Sequence, residues 1–272
     1  MSFKRMDYRG DSIAERNDKA KKVARQLGLI SGQAEAELPP TLCQKVVARE
    51  RELAQQVMQR FYSWLEKGHR VHFVTVCRPE WTCAAGELSA DHVRQVRAWM
   101  SRRARNLSRF GQQRMLGFVD IAWNDRSAVG GTGHWDVHAH VLVYVTGLGR
   151  RDQKAHLKKA FDCQGDGDRV KRPLVIKTPP TDIDLLNVSE YNSRALLLDH
   201  FQRRRSYVGK SGRRETRDVP LKKAELIELA KVVNELGPQP FWILSGLRRK
   251  HGRIMKHNSQ VGFGSRLVPP KV

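Results

Sequence analysis

The sequence predicts an α+β fold in which helices pack on one face of a central antiparallel sheet. Three observations carry this expectation. Segments rich in β-branched and aromatic residues alternate with amphipathic segments of helical period, in the order β-α-β-β-α-β-α. The 272 residues suffice to bury one good core with extensions. Hydrophobic residues make up 40%, the composition of a globular chain rather than a disordered one.

Residues 1–40 are polar and charged, end at Pro39-Pro40, and read as a flexible or loosely docked arm. Thr41 is placed to cap a helix from Leu42 to about Lys67, where Val46, Leu53, Val57, Phe61 and Leu65 recur at helical spacing. Val71-His72-Phe73-Val74-Thr75-Val76 reads as the first strand. Ser89 precedes a helix to about Leu107, with Val93, Val96, Trp99 and Met100 on one side. Leu116 to Trp123 gives a second strand, and a turn-rich linker from Asn124 to Gly133 leads to a third, His134 to Val145. Arg151 to Phe161 is a short basic helix, Leu174 to Lys177 a short strand, and Leu185 to about Arg205 a longer helix. The order matches a split β-α-β unit of the ferredoxin-like kind. Leu221 to Leu236 then reads as a helix, Phe241-Trp242-Ile243-Leu244 as a strand, and Arg248 to Val272 as a glycine-rich and basic tail. The expected division is an arm (1–40), a core with its leading helix (41–215) and a small basic C-terminal extension (216–272).

Charge gives the first indication of function. Lys and Arg number 50 against 28 Asp and Glu, a formal net charge of +22. Residues 201–272 alone hold 17 Lys and Arg against 5 Asp and Glu, more than half of the whole excess. Such a surplus attracts polyanions, and nucleic acid is the commonest partner of a chain like this. No apolar run approaches the ~20 residues of a membrane span, and no amphipathic helix has a lysine-rich back for a membrane surface. The N-terminus does not read as a secretory signal. Cys43, Cys77, Cys83 and Cys163 are scattered and imply neither a zinc ribbon nor a disulfide framework. The expected location is the cytoplasm, with reduced thiols.

The sharpest feature is His134-Trp135-Asp136-Val137-His138-Ala139-His140. Residues two apart in a strand share a face. His134, Asp136, His138 and His140 therefore project together, while Trp135, Val137, Ala139 and Val141 face the core. Two imidazoles on alternate positions are placed to grip one divalent ion, and a nearby carboxylate would complete or orient the set.

On these residues the chain resembles the HUH endonucleases, which include rolling-circle replication initiators, conjugative relaxases and single-strand transposases. His138-Ala139-His140 fits their His-hydrophobic-His signature, and Phe73-Val74-Thr75-Val76 is similar to the first-strand motif of the rolling-circle Rep type. The resemblance spans about residues 70–215 and implies an RRM-like core, a bound Mn²⁺ or Mg²⁺, and a catalytic tyrosine after the His strand. Zinc would bind imidazole at least as well. Many Rep proteins carry a Glu on the strand before the His motif. That strand here has none, so Asp120 is the nearest substitute, with Asp136 and His134 competing from the His strand.

The tyrosine is expected on a helix, often with a lysine one turn later. Tyr207-Val208-Gly209-Lys210 fits this pattern and follows Arg203-Arg204-Arg205, whose cations would hold a phosphodiester and favour the phenolate. Tyr191-Asn192-Ser193-Arg194 offers an arginine at the same offset, and Tyr207 is preferred. Trp81 is the candidate for stacking a base. Arg94, Arg97, Arg102, Arg103 and Arg105 on the first core helix suit either DNA or solvent. Gly209-Lys210-Ser211 lacks the first glycine of a phosphate-binding loop, and the run Val129 to Gly133 reads as a turn. The resemblance thus implies an initiator that nicks single-stranded DNA or an origin hairpin and relies on a host helicase and DNA polymerase. Relaxases and transposases share the chemistry. A binding protein with a structural metal site, or a nuclease that activates water, would carry the same histidines.

Overall fold

A computed structural model describes residues 70–108, 113–145, 149–163, 170, 172–178, 202–209, 211–237, 239–250 and 253–256, together with helical residues 18, 22, 25 and 52. The rest of the expected arm and of the helix from Leu42 to Lys67 lies outside the described residues.

The chain runs β1 (Val71–Cys83), α1 (Ala90–Ser108), β2 (Gln113–Asp125), β3 (His134–Val145), α2 (Arg150–Ala160), β4 (Leu174–Lys177), β5 (Gln202–Val208), β6 (Arg214–Pro220), α3 (Lys223–Leu236), β7 (Trp242–Ser245), β8 (Leu247–Lys250) and β9 (Arg253–Lys256). The α+β expectation holds. One sheet has the order β4-β1-β3-β2-β5-β6, with β7 also pairing β2, and β8 and β9 form a separate ribbon. The pairs among β1 to β4 are antiparallel, whereas β5 runs parallel to β2.

β3 lies at the centre because both of its faces can be buried. Trp135, Val137, Ala139, Val141 and Val143 are fully buried on one face, and Leu142 on the other. α1 covers β2, β3 and β7 and is flanked by α2 and α3. Its Val93, Val96, Met100 and Leu107, spaced three, four and seven apart, are all fully buried. Glu225 closes the start of α3 by accepting the Lys222 backbone N–H at 2.8 Å.

Three differences from the sequence expectation have physical causes. β1 runs past Val76 because Arg78 to Trp81 bulge out of the ladder: Cys77 pairs with His138, and the next pair is Thr82 with Asp136. Pro79 has no N–H to give a ladder, and Thr82 donates its hydroxyl to the Pro79 carbonyl at 2.8 Å. The expected helix from Leu185 to Arg205 does not reach its end, since residues 202–208 form β5 and hairpin with β6. Residues 179–201 lie outside the described residues. The core also does not stop at 215, because β7 pairs with Met115 to Phe118 of β2 and Trp242 packs on Phe118 at 4.3 Å between ring centroids.

Two edge partners share β2: β7 takes its first half and β5 its last residues, Trp123 to Asp125. Among the described residues no helix is long and apolar enough to cross a membrane, and Cys77, Cys83 and Cys163 are free thiols.

Candidate metal centre

Strand register assembles the site. Asp120 on β2 sits directly opposite His138 on β3, and His140 follows two residues on, so the three side chains share one face. On the other flank of β3, Thr75 and Cys77 of β1 sit opposite His140 and His138. All three of Asp120, His138 and His140 are buried, at 5%, 3% and 9% exposure.

The donor atoms converge. His138 Nε2 and His140 Nε2 stand 2.9 Å apart, and Asp120 Oδ2 lies 3.4 Å from the first and 3.6 Å from the second. Ligands held ~2.1 Å from one ion at ~90–110° would be about 3.0–3.4 Å from each other. The triangle is therefore already close to the size that a small divalent ion demands.

Hydrogen bonds fix the direction of each donor. His138 Nδ1 donates to the Asp136 carbonyl at 3.1 Å, which leaves Nε2 of the neutral ring as the lone pair facing the triangle. His140 Nδ1 is held by the Thr75 hydroxyl at 2.9 Å, and Phe73 stacks on its ring at 5.4 Å. Asp120 accepts the Ile121 N–H through Oδ1 at 2.8 Å, which turns Oδ2 toward the imidazoles. Two imidazole edges and a buried carboxylate oxygen facing one point repel unless a cation or a proton stands between them.

The titration directions follow. Burial opposes ionisation of Asp120, but hydrogen bonds and charge from His138 and His140 hold its carboxyl well below the usual range. Burial also works against charging His138, yet Asp120 outweighs it and the pKa is raised. His140 is lowered, by burial first, with Asp120 pulling the other way and His138 adding repulsion. Of the two imidazoles, His138 is therefore the one whose charged form Asp120 favours.

Asp136 lies beside this triangle. Its Oδ2 accepts from Asn124 Nδ2 at 3.3 Å, while its buried Oδ1 meets no hydrogen-bond partner among the described residues. Asp136 forms a second potential ligand group with Cys77 and His138, their donor atoms all within 4.8 Å of one another. His134 is buried further along β3, opposite Asn124, and belongs to neither group. Burial, then Asp136, raises the Cys77 pKa well above its ordinary value.

The other sequence candidates fall elsewhere. Trp81 is 2% exposed and packs edge-on against Trp99 at 5.5 Å, so it belongs to the core and offers no free face to a base. Tyr207 sits on β5, not on a helix, and donates its hydroxyl to Glu215 at 2.8 Å, with the Arg217 guanidinium 5.6 Å from its ring centre. That hydrogen bond, more than burial or charge, raises its pKa. Tyr191 and Lys210 lie outside the described residues. On the backbone Arg203 pairs with Trp123, Arg204 with Asn124 and Arg205 with Asp125. The exposed Arg204 also reaches toward Asp218 at 3.7 Å, and its charge acts on His138 and His140. Arg205 Nε stands 3.9 Å from Asp125. On α1, Arg94 pairs with Asp91 and Glu235, and Arg103 covers Trp99.

No protein-family model, curated protein or solved structure matched this chain. Its chemistry is therefore read from its own residues. Thr75 and Cys77 escaped the sequence reading, although period-two spacing on β1 puts Phe73, Thr75 and Cys77 on one face; their relevance depends on the β1–β3 register, which no local pattern states.

Proposed function

We propose that this chain is a metal-dependent DNA endonuclease and strand transferase of the HUH tyrosine type, with a ferredoxin-like core, that nicks single-stranded DNA or an origin hairpin to initiate rolling-circle replication. The observation that carries the reading is the convergence of Asp120, His138 and His140 on one point. The β-α-β-β-α-β order with the strand sequence β4-β1-β3-β2 supports the ferredoxin-like assignment, and the +22 charge supports a nucleic-acid substrate.

Asp120 with His138 and His140 would hold Mn²⁺ or Mg²⁺, which when bound polarises the scissile phosphate and stabilises the departing oxygen. Thr75 and the Asp136 carbonyl keep the two imidazoles turned toward it. A tyrosine oxygen attacks phosphorus in line as its phenolic proton passes to solvent, the P–O3′ bond breaks, and the departing 3′ oxygen takes up a proton from solvent. The products are a 5′-phosphotyrosyl enzyme and a free 3′-OH able to prime synthesis. The bond energy stays in the adduct, so the strand can be rejoined by the reverse step. Replication would then use a host helicase and polymerase. Arg204, exposed on β5, would take a backbone phosphate.

Tyr191 and Tyr207 are the candidates for the nucleophile. Counted along the parallel strands β2 and β5, Tyr207 lies seven positions beyond the level of Asp120, roughly 23 Å at ~3.3 Å per residue. Its bond to Glu215 also raises the phenol pKa, which works against the phenolate. These two facts turn the preference from Tyr207 toward Tyr191. A relaxase or a transposase would use the same groups.

One observation favours a second reading. All three donors are less than a tenth exposed, as in structural metal sites that keep no open position, and a binding protein with a structural ion would look the same. Incubating the protein with Mn²⁺ and single-stranded DNA separates them. A covalent adduct lost with EDTA and in Tyr191→Phe or Tyr207→Phe supports the transesterase, whereas binding indifferent to both substitutions supports the structural site.

A further inference from the structure

We propose a second, thiolate-containing metal site formed by Cys77, Asp136 and His138, which takes a thiophilic divalent ion such as Zn²⁺ and weakens Mn²⁺ binding at the neighbouring triangle. Two independent observations carry it. A sulfur, a carboxylate oxygen and an imidazole nitrogen lie within 4.8 Å of one another. In addition, Asp136 Oδ1 is buried with no hydrogen-bond partner among the described residues. A buried carboxylate oxygen is costly without a donor or a cation, and the groups beside this one are ligands.

The set is built by the sheet. Cys77 on β1 stands opposite His138 on β3, Asp136 is two residues before His138 on the same face, and Asn124 from β2 steadies the other oxygen of Asp136. Zinc with a sulfur ligand at ~2.3 Å and nitrogen or oxygen at ~2.0–2.2 Å holds its donors about 3.5 Å apart. With the donors within 4.8 Å of one another, the three atoms need to draw in by no more than about 1.3 Å to reach that spacing. The thiol gives its proton to solvent as the metal–sulfur bond forms.

The consequence comes from His138, which belongs to both groups. If it lends the same nitrogen, one ion displaces the other. If it lends one nitrogen to each, the ring must first give its Nδ1 proton to solvent and lose its hydrogen bond to the Asp136 carbonyl, and two dications then flank one imidazolate and repel. Hard ions prefer the Asp120 set, and a thiolate selects Zn²⁺ or Co²⁺, so the choice of metal decides which group is filled. This holds whether or not the chain cuts DNA.

Co²⁺ is the probe, because a cobalt–thiolate bond gives an intense near-ultraviolet charge-transfer band and oxygen or nitrogen ligands do not. The full chain titrated with Co²⁺ is expected to show that band, to keep it in Asp120→Asn, and to lose it in Cys77→Ser and weaken it at least tenfold in Asp136→Asn. Zn²⁺ also competes for the triangle itself, so it is expected to raise the apparent Kd for Mn²⁺ in both proteins, but at least tenfold more in the natural chain than in Cys77→Ser. Circular dichroism verifies that all the variants fold, and retained Mn²⁺ binding does so in addition for Cys77→Ser and Asp136→Asn. No thiolate band in the natural chain, a band that persists in Cys77→Ser, or Zn²⁺ competition unchanged by that substitution overturns the site.

Discussion

At the residue scale the site is a balance of three groups that need a positive charge between them. Asp120→Asn keeps the shape and removes the charge, and His138→Ala removes the donor that faces both other ligands. Each is expected to reduce Mn²⁺ affinity at least about 100-fold by calorimetry, since loss of an outer partner alone is worth about 10–100-fold. Thr75 is such an outer partner, and Thr75→Val is expected to cost roughly tenfold while the fold remains intact. Unaltered affinity in Thr75→Val would mean that its bond does not orient His140.

Proton competition gives the pH dependence. The folded pKa of His138 is raised, so its ion pair with Asp120 stabilises the metal-free protein fully below the unfolded value of ~6.5 and loses this as pH rises through the folded value. Metal binding runs the other way, because it needs His138 neutral. Mn²⁺ affinity is therefore expected to be weaker at pH 6 than at pH 8, while Asp120, held well below the usual carboxylate range, stays ionised throughout. The increase in melting temperature on adding Mn²⁺ should grow across the same interval. An affinity independent of pH would show that the imidazoles are not ligands.

At the scale of elements, the site depends on how tightly β2 and β3 approach. A Cβ added at Gly117 would clash with the His140 carbonyl oxygen and Val141 Cα, both backbone atoms with nowhere to go. Gly117→Ala is expected to cost about 3 kcal/mol or more, near 10 °C in melting temperature at ~2–4 °C per kcal/mol. It should also weaken metal binding, because the atom it displaces belongs to a ligand residue. A melt unchanged within a degree would mean that the strands lie further apart.

The strands that hold the site were legible in the sequence because each carries its own pattern. The alternation from His134 to Val141 put both histidines on one face, and Asp120 was picked out as the carboxylate on the preceding strand. The β5–β6 hairpin was not legible. The polar and basic run Gln202 to Val208 has too little apolar period to distinguish strand from helix, and its placement depends on the edge of β2. Trp81 was a stacking candidate only because it lies next to the expected site strands, whereas the bulge around Pro79 turns it against Trp99.

At the scale of the molecule, the charge governs association. Under the proposed function, single strands would be held mainly through phosphates, and log affinity would fall with log salt at about −0.7 per contact. Five or so contacts give a slope near −3.5, measurable by fluorescence anisotropy at several salt concentrations. Arg204→Ala should flatten the slope by less than one unit, the share of a single phosphate. A slope near zero would remove nucleic acid as the partner.

The most direct test of the central claim is covalent. Purified protein with Mn²⁺ and pooled single-stranded DNA from the genome that encodes it should yield a DNA–protein adduct on a denaturing gel, abolished by EDTA and by His138→Ala. Peptide mapping should place the adduct on a tyrosine, with Tyr191 expected ahead of Tyr207. Tight binding with no adduct on that DNA, or cleavage that leaves the protein unlinked, would contradict the tyrosine transesterase.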